Sequence, residues 1–186
     1  MKSFPSDNLL PREGEAYLLT NFIDEISAQK LMSDIYDEVL WREDKITMFG
    51  KTYPQARKVA WHGDPKVTYT YSGIKMVAPG WSSRLKQLTD KIHTTLGCQF
   101  NSALVNYYRD GKDHMSWHQD NEPELGDNPV IASLSLGASR DFFLNTVMEI
   151  NWDFLCTPVI YLSCKDKLKP AGNMLCPRGF GSKVLV

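Results

Sequence analysis

The sequence predicts an α+β domain in which two amphipathic helices lie on one side of a β-sandwich or jelly roll. Two capped stretches with apolar residues at helical spacing predict the helices. Short runs rich in β-branched and aromatic residues, parted by turn signals, predict the strands. At 186 residues, with 42% hydrophobic and 23% charged positions, the chain has the length and balance of one globular domain able to bury a core. Residues 1–186 are therefore expected to form a single domain.

At the amino terminus, MKSFPSDNLLPREGE contains no apolar signal core, and the longest apolar runs are only a few residues. Neither export nor a membrane span is expected, which leaves a cytoplasmic location, or a nuclear one in a eukaryote. Asp24 is suited to cap a helix that presents Leu31, Met32, Ile35 and Val39 on one face. The segment that follows crowds Lys45, Lys51, Arg57, Lys58 and Lys66 with few acids. It reads either as a phosphate-facing patch or as a solvated loop with scattered cations. Ser82 is suited to cap a second helix carrying Leu85, Leu88, Ile92 and Leu96 and closed by Gly97. Strand-like runs stand at YTYS (69–72), FNSALVNYY (100–108), IASLSLG (131–137) and DFFL (141–144), with turn signals at Asp110-Gly111 and Asp127-Asn128-Pro129. The net charge of −1 says little about partners. Cys98, Cys156, Cys164 and Cys176 have neither C-x-x-C spacing nor the density of a disulfide scaffold, so all four are expected as reduced thiols.

Chemistry concentrates in HMSWHQD, residues 114–120. On an extended segment His118 and Asp120 project to the same side, so both can bind one cation. A second histidine from a distant position would complete a facial triad with positions open for substrate and oxygen. An H-x-D triplet alone is a weak signal. His114 lies four residues before His118, but without the glutamate of H-E-x-x-H a zinc-hydrolase reading is disfavoured. His62 and His93 read as surface or capping histidines.

NYYRDGKDHMSWHQDNE (106–122), followed by IASLSLGASRDF (131–142) and preceded by RKVAWHGDPKVTYTYSG (57–73), resembles the nucleic-acid-repair branch of the AlkB family of iron(II)/2-oxoglutarate dioxygenases. The resemblance runs from about residue 17 to residue 144. It implies a double-stranded β-helix, or jelly roll, supported by N-terminal helices and covered by a nucleotide-recognition lid over about 45–73. By resemblance His118 and Asp120 bind iron(II), while Asn106 and Tyr108 contact 2-oxoglutarate. Tyr71 would stack on a flipped-out damaged base against the His118 ring, with Tyr69 and Glu122 lining the same pocket. Tyr69 and Tyr71 otherwise read as core residues of a strand, and Glu122 as a solvated acid. In MFGK (48–51), Phe49 is placed either to wedge into the gap left by the flipped base or to sit in the lid core, with Lys51, Arg57 and Lys58 on phosphates. The implied activity is oxidative dealkylation of 1-methyladenine and 3-methylcytosine in DNA, with RNA as a further substrate, by a monomer using iron(II), 2-oxoglutarate and oxygen.

Residues 145–186 depart from that family. No histidine follows His118, and the R-x-N-x-T-x-R strand whose arginine pairs with 2-oxoglutarate is absent. Two ligands without an arginine clamp are expected to hold iron and 2-oxoglutarate poorly, leaving the C-terminal strands incomplete. Back-translation offers a source. When each codon's third base is read with the next codon's first two, Met148-Glu149 and Trp152-Asp153 must give glycine and Asn151-Trp152 must give leucine. A consistent choice of codons spells W-x-H-A-L-P-K-R, with its histidine at the Asn173/Met174 junction. The tail therefore reads as frame-shifted near Leu144 and Asn145, against a divergent or alternatively spliced segment. Two functions follow: a dealkylating dioxygenase, or an inactive remnant that at most binds nucleic acid.

Overall fold

The computed structural model describes residues 8–9, 15–48, 50–71, 74–115, 123–125, 130–138, 141–142, 154–155, 160–164 and 183–185. Strand β1 (Glu15–Leu19) leads into helix α1 (Glu25–Glu38). Strands β2 (Lys45–Met48), β3 (Lys51–Pro54), β4 (Lys58–Gly63), β5 (Thr68–Tyr71) and β6 (Ile74–Val77) come next. Helix α2 (Ser83–Leu96), β7 (Ser102–Tyr107), a 3-10 turn (Pro123–Leu125) and β8 (Val130–Leu134) follow. Four strands close the order: β9 (Asp141–Phe142), β10 (Phe154–Leu155), β11 (Ile160–Cys164) and β12 (Lys183–Leu185). The expected sequence of helices first and strands after holds only in part, because β1 precedes α1 and five strands lie between the helices. Among the described residues no helix is long and apolar enough to cross a membrane.

Both helices begin at their predicted caps and α2 ends at its predicted glycine, whereas Val39, expected on the face of α1, follows the last residue of that helix in extended conformation. The Asp24 side chain accepts the Ser27 N–H at 2.9 Å, and this backbone bond is the first cause of a carboxyl pKa below the usual value. Ser82 accepts the Leu85 N–H at 3.4 Å. Gly97 ends α2 at φ +73°, the left-handed conformation that only glycine adopts without strain. The two helices are tied together at one point. Glu38, the last residue of α1, accepts the Ser83 N–H at 2.9 Å, the Ser83 hydroxyl at 2.7 Å and the Arg84 N–H at 3.0 Å. It thereby caps the exposed amides at the start of α2. Arg84 in turn reaches Asp34 of α1 at 3.1 Å.

Six strands form one sheet in the order β1-β11-β8-β12-β7-β4. The hairpins β2-β3 and β5-β6 and the pair β9-β10 stand apart from it. Side-chain parity divides the sheet into two faces. Ala60, Ala103, Val105, Val130, Ala132 and Leu134 share one buried cluster with Ala28 and Ile35 of α1 and Leu85, Leu88, Ile92 and Leu96 of α2. Trp61 and Leu104 point the other way and pack with Met76 and Ala78 from the β5-β6 hairpin and its exit. One face thus carries the helices and the opposite face meets the hairpin. At the end of this sheet Gly63 admits no side chain, since a Cβ there would lie 2.6 Å from the Asn101 carbonyl oxygen.

One expectation needs correction, and another lies largely outside the described residues. Of the C-terminal strands, expected to be incomplete, β11 and β12 are described and occupy two of the six places in the sheet; backbone pairing is open to any sequence with free N–H and C=O groups. β11 pairs antiparallel with β1 and β8, whereas β12 runs parallel to both β7 and β8. Cys98, expected as a reduced thiol, is disulfide-bonded; a bridge need not show the C-x-x-C spacing or the cysteine density that marks a disulfide framework.

For Glu38, burial acts to raise the carboxyl pKa, but the Ser83, Arg84 and Ser82 hydrogen bonds outweigh it and hold the group below the usual glutamate range. A depressed folded value means the contribution is complete above the ordinary glutamate range and is lost as pH falls through the folded value. Glu38→Ala is expected to reduce stability by about 1 kcal/mol in urea titrations at neutral pH. The gap from wild type should narrow in acid. A gap unchanged by pH would place the effect in packing and not in the charged cap.

Candidate active site

The hairpin-covered face of the sheet carries Asn106. On β7 it has the parity of Leu104, and it lies opposite Val59 of β4 in the register. Its neighbour Tyr107 takes the other face, where its ring stands 4.7 Å from Tyr36 of α1 and 5.6 Å from Trp41. Arg57, immediately before β4, donates from Nε to the Asn106 Oδ1 at 2.9 Å. Only 5% of Arg57 is exposed, so it faces into the site and not outward with the surface lysines. Tyr108 follows, half-buried, at the end of β7.

Beyond Tyr108 the chain turns on a clamp built within five residues. Arg109 donates to both oxygens of Asp113, at 2.7 and 2.9 Å, and its backbone N–H donates to the same carboxylate at 2.9 Å. Asp110 accepts the backbone N–H groups of Lys112 and Asp113. Asp113 is buried, and its hydrogen bonds with Arg109 hold the guanidinium pKa above its usual value. This turn directs the chain out of β7 toward residues 114–120. Spacing alone did not reveal the clamp, although the R-D-G-K-D string contains its parts.

The predicted site residues fall into four groups. Asn106, Tyr108 and Arg57 are brought to the end of β7 and β4. Tyr69 and Tyr71 occupy β5, paired with Met76 and Ile74 of β6, while their side chains lie outside the described residues. β5 runs alongside the Pro123–Leu125 turn. His118, Asp120, Glu122 and Phe49 lie outside the described residues. Of the basic patch, Lys45, Lys51 and Lys66 are exposed, and Lys58 is half-buried with its Nζ 3.8 Å from Glu43.

The upstream histidines are committed elsewhere. His62 is buried on the helix-facing side of β4, and its Nδ1 donates to the Gly80 carbonyl at 3.1 Å. His93 donates from Nδ1 to the Cys98 carbonyl at 3.1 Å, closing the end of α2 as a capping residue. His114 is exposed and its Nδ1 bonds the Lys112 carbonyl. In all three the partner is a carbonyl, so Nδ1 must carry the proton. Among the described residues no three His, Cys, Asp or Glu side chains stand close enough to hold a metal ion together. Asp113→Asn is expected to accelerate amide hydrogen exchange at Arg109 roughly tenfold, because the bidentate charged acceptor is lost. Unchanged exchange there would show that the backbone turn holds without the clamp.

Comparison with known proteins adds the family. The model of the 2OG-Fe(II) oxygenase superfamily matches residues 15–167, continuing past Leu144 into the tail. The chain is 37% identical over 155 residues to "Alpha-ketoglutarate-dependent dioxygenase alkB homolog 3" of Rattus norvegicus, covering 76% of this chain and 52% of that protein. The Homo sapiens protein of the same name is 40% identical over 126 residues, 67% of this chain and 43% of its own length. "DNA oxidative demethylase ALKBH2" of Mus musculus is 37% identical over 136 residues, 72% of this chain and 57% of that protein. The chain spans about half the length of the curated relatives it matches. The superfamily uses iron(II), 2-oxoglutarate and oxygen. With this match over most of its length, the chain belongs to the 2OG-Fe(II) oxygenase superfamily, in its AlkB family.

Proposed function

We propose that the chain is built for oxidative dealkylation of N-alkylated bases, 1-methyladenine and 3-methylcytosine, in DNA, with RNA as a further substrate, as part of nucleic-acid repair. The observation that carries this reading is its likeness to relatives named as an alkB homolog 3 dioxygenase and a DNA oxidative demethylase. A double-stranded β-helix, of which the six-stranded sheet is one wall, is the fold that goes with it. The protein acts as a monomer in the cytoplasm, or in the nucleus of a eukaryotic cell.

In this reading His118 and Asp120 ligate iron(II), and Asn106 and Tyr108 orient 2-oxoglutarate. Imidazole and carboxylate are the donor types that suit iron(II). Iron(II) with 2-oxoglutarate and oxygen, when bound, supplies the oxidation of an N-methyl carbon that leaves as formaldehyde. The protein's own task is to place the base and keep it there. Tyr71 and Tyr69 flank the flipped base with Glu122 at its edge. Phe49 fills the gap in the duplex while Lys51 and Lys58 hold phosphates. The exposure of Lys51 supports that role; the burial of Arg57 against Asn106 favours a role inside the site.

A second reading is favoured by specific features of the tail. No histidine follows His118, and β12 enters the sheet parallel to both neighbours while the other paired strands run antiparallel. A frame shift near Leu144 would account for the missing histidine, and it would leave a remnant that binds nucleic acid in a salt-sensitive way without turnover. Formaldehyde release from a 1-methyladenine oligonucleotide with iron(II), 2-oxoglutarate and ascorbate separates the readings. This chain is compared with one whose residues 145–186 are replaced by the shifted-frame peptide extended through R-x-N-x-T-x-R. Activity confined to the replaced chain is the expected outcome. Silence in both would overturn the dealkylase reading, and activity in the chain as it stands would overturn the inactive-remnant reading and point to a third metal ligand other than a histidine after His118.

A further inference from the structure

We propose that Arg57 is a positioning residue that sets which end of the Asn106 amide faces 2-oxoglutarate. The proposal rests on the reading that Asn106 contacts that cosubstrate. Asn106 is half-buried on the face of the sheet turned away from the helices. Its side chain has two chemically opposite ends, a carbonyl oxygen that accepts and an NH2 group that donates. Which end points into the site decides whether an anion is attracted or repelled.

Arg57 makes that choice. Its guanidinium has donors only, and its Nε lies 2.9 Å from the Asn106 Oδ1. The reversed amide would set N–H against N–H at the same distance, leaving donors on both residues without an acceptor in a buried position. The carbonyl is thus drawn to Arg57 and the NH2 is turned away from it. A 2-oxoglutarate carboxylate arriving on that side meets a donor. Arg57 is itself held firmly: it is 5% exposed, it immediately precedes β4, and it makes further interactions besides this one. The pairing of Val59 with Asn106 keeps the two residues in reach across a separation of 49 positions in sequence.

Two readouts test this on the whole chain: the Asn106 side-chain NH2 resonances by 15N NMR, and 2-oxoglutarate affinity by calorimetry under nitrogen with manganese(II). Arg57→Met is expected to shift or broaden the Asn106 pair and to weaken 2-oxoglutarate about tenfold. Arg57→Lys, again a donor-only side chain, should restore affinity to within about threefold of wild type. Asn106→Asp keeps an acceptor for Arg57 but has no NH2 to present, so it should lose about tenfold as well; it serves as the second probe where Arg57→Met does not fold. Unchanged resonances in Arg57→Met, or wild-type affinity in Asn106→Asp, would overturn the proposal. Wild-type 2-oxoglutarate affinity of Asn106→Asp in the chain carrying the shifted-frame tail, alongside an NH2 pair that still moves in Arg57→Met, would refute Asn106 as a cosubstrate contact. Arg57's hold on the amide would survive that result.

Discussion

The antiparallel pairing of β4 with β7 is the constraint on which the remaining arrangement depends. Its register sets Ala60, Ala103 and Val105 toward the helices and, by the same alternation, Trp61, Leu104 and Asn106 toward the opposite side. A slip of one residue would exchange the two sets. The polar amide of Asn106 would then be buried among Leu85, Ile92 and their neighbours, and Val105 would stand in the site. Burial of the apolar set against α1 and α2 therefore does more than stabilise the fold. It is what points the site residues in a single direction, and it gives Arg57 a fixed place from which to reach across to Asn106.

The two helices were legible because their signals are local. Asp24 and Ser82 accept the N–H three residues on, and Gly97 takes the left-handed conformation; each of these needs only the chain within one turn. The apolar face of α2 is buried as its spacing predicts, whereas on α1 Met32 is 37% exposed and Ala28 occupies the contact instead. Strands were legible where apolar residues cluster, as in β7 and β8. The hairpin strands β2 and β3 escaped because KITM and KTYP carry too little alternation, and β3 is exposed throughout. β11 and β12 lie in a segment read as incomplete, since strand pairing there is a property of the sheet that receives them.

For the site, Asn106 and Tyr108 and the Asp110-Gly111 turn were readable in the sequence, but their working geometry was not. Nothing in QARKVAW distinguishes Arg57 from Lys58 as a cation, yet one is buried on an amide and the other lies near Glu43. The distinction arises only when β4 meets β7, 49 residues apart in sequence from Arg57 to Asn106. Likewise, a histidine's role depends on its fold neighbours: His62 meets a carbonyl from residue 80 and His93 one from residue 98. Their commitment to backbone carbonyls is what a one-dimensional reading expected of capping residues, although the burial of His62 exceeds it.

β12 sits between β8 and β7, so the half-sheet β1-β11-β8 and the half-sheet β7-β4 are joined through a strand of three residues. That strand is the last element in the described order, and it is synthesised after every strand it must connect. On the ribosome the β7-β4 half can form early, because its strands and α2 lie close in sequence. The two halves share the helices of one core, but the facing edges of β7 and β8 gain their backbone partner only when the joining strand emerges. During that interval the edges of β7 and β8 are open to other chains, and this protein's exposure to misassembly is set by how long translation takes to cover the distance from β8 to β12.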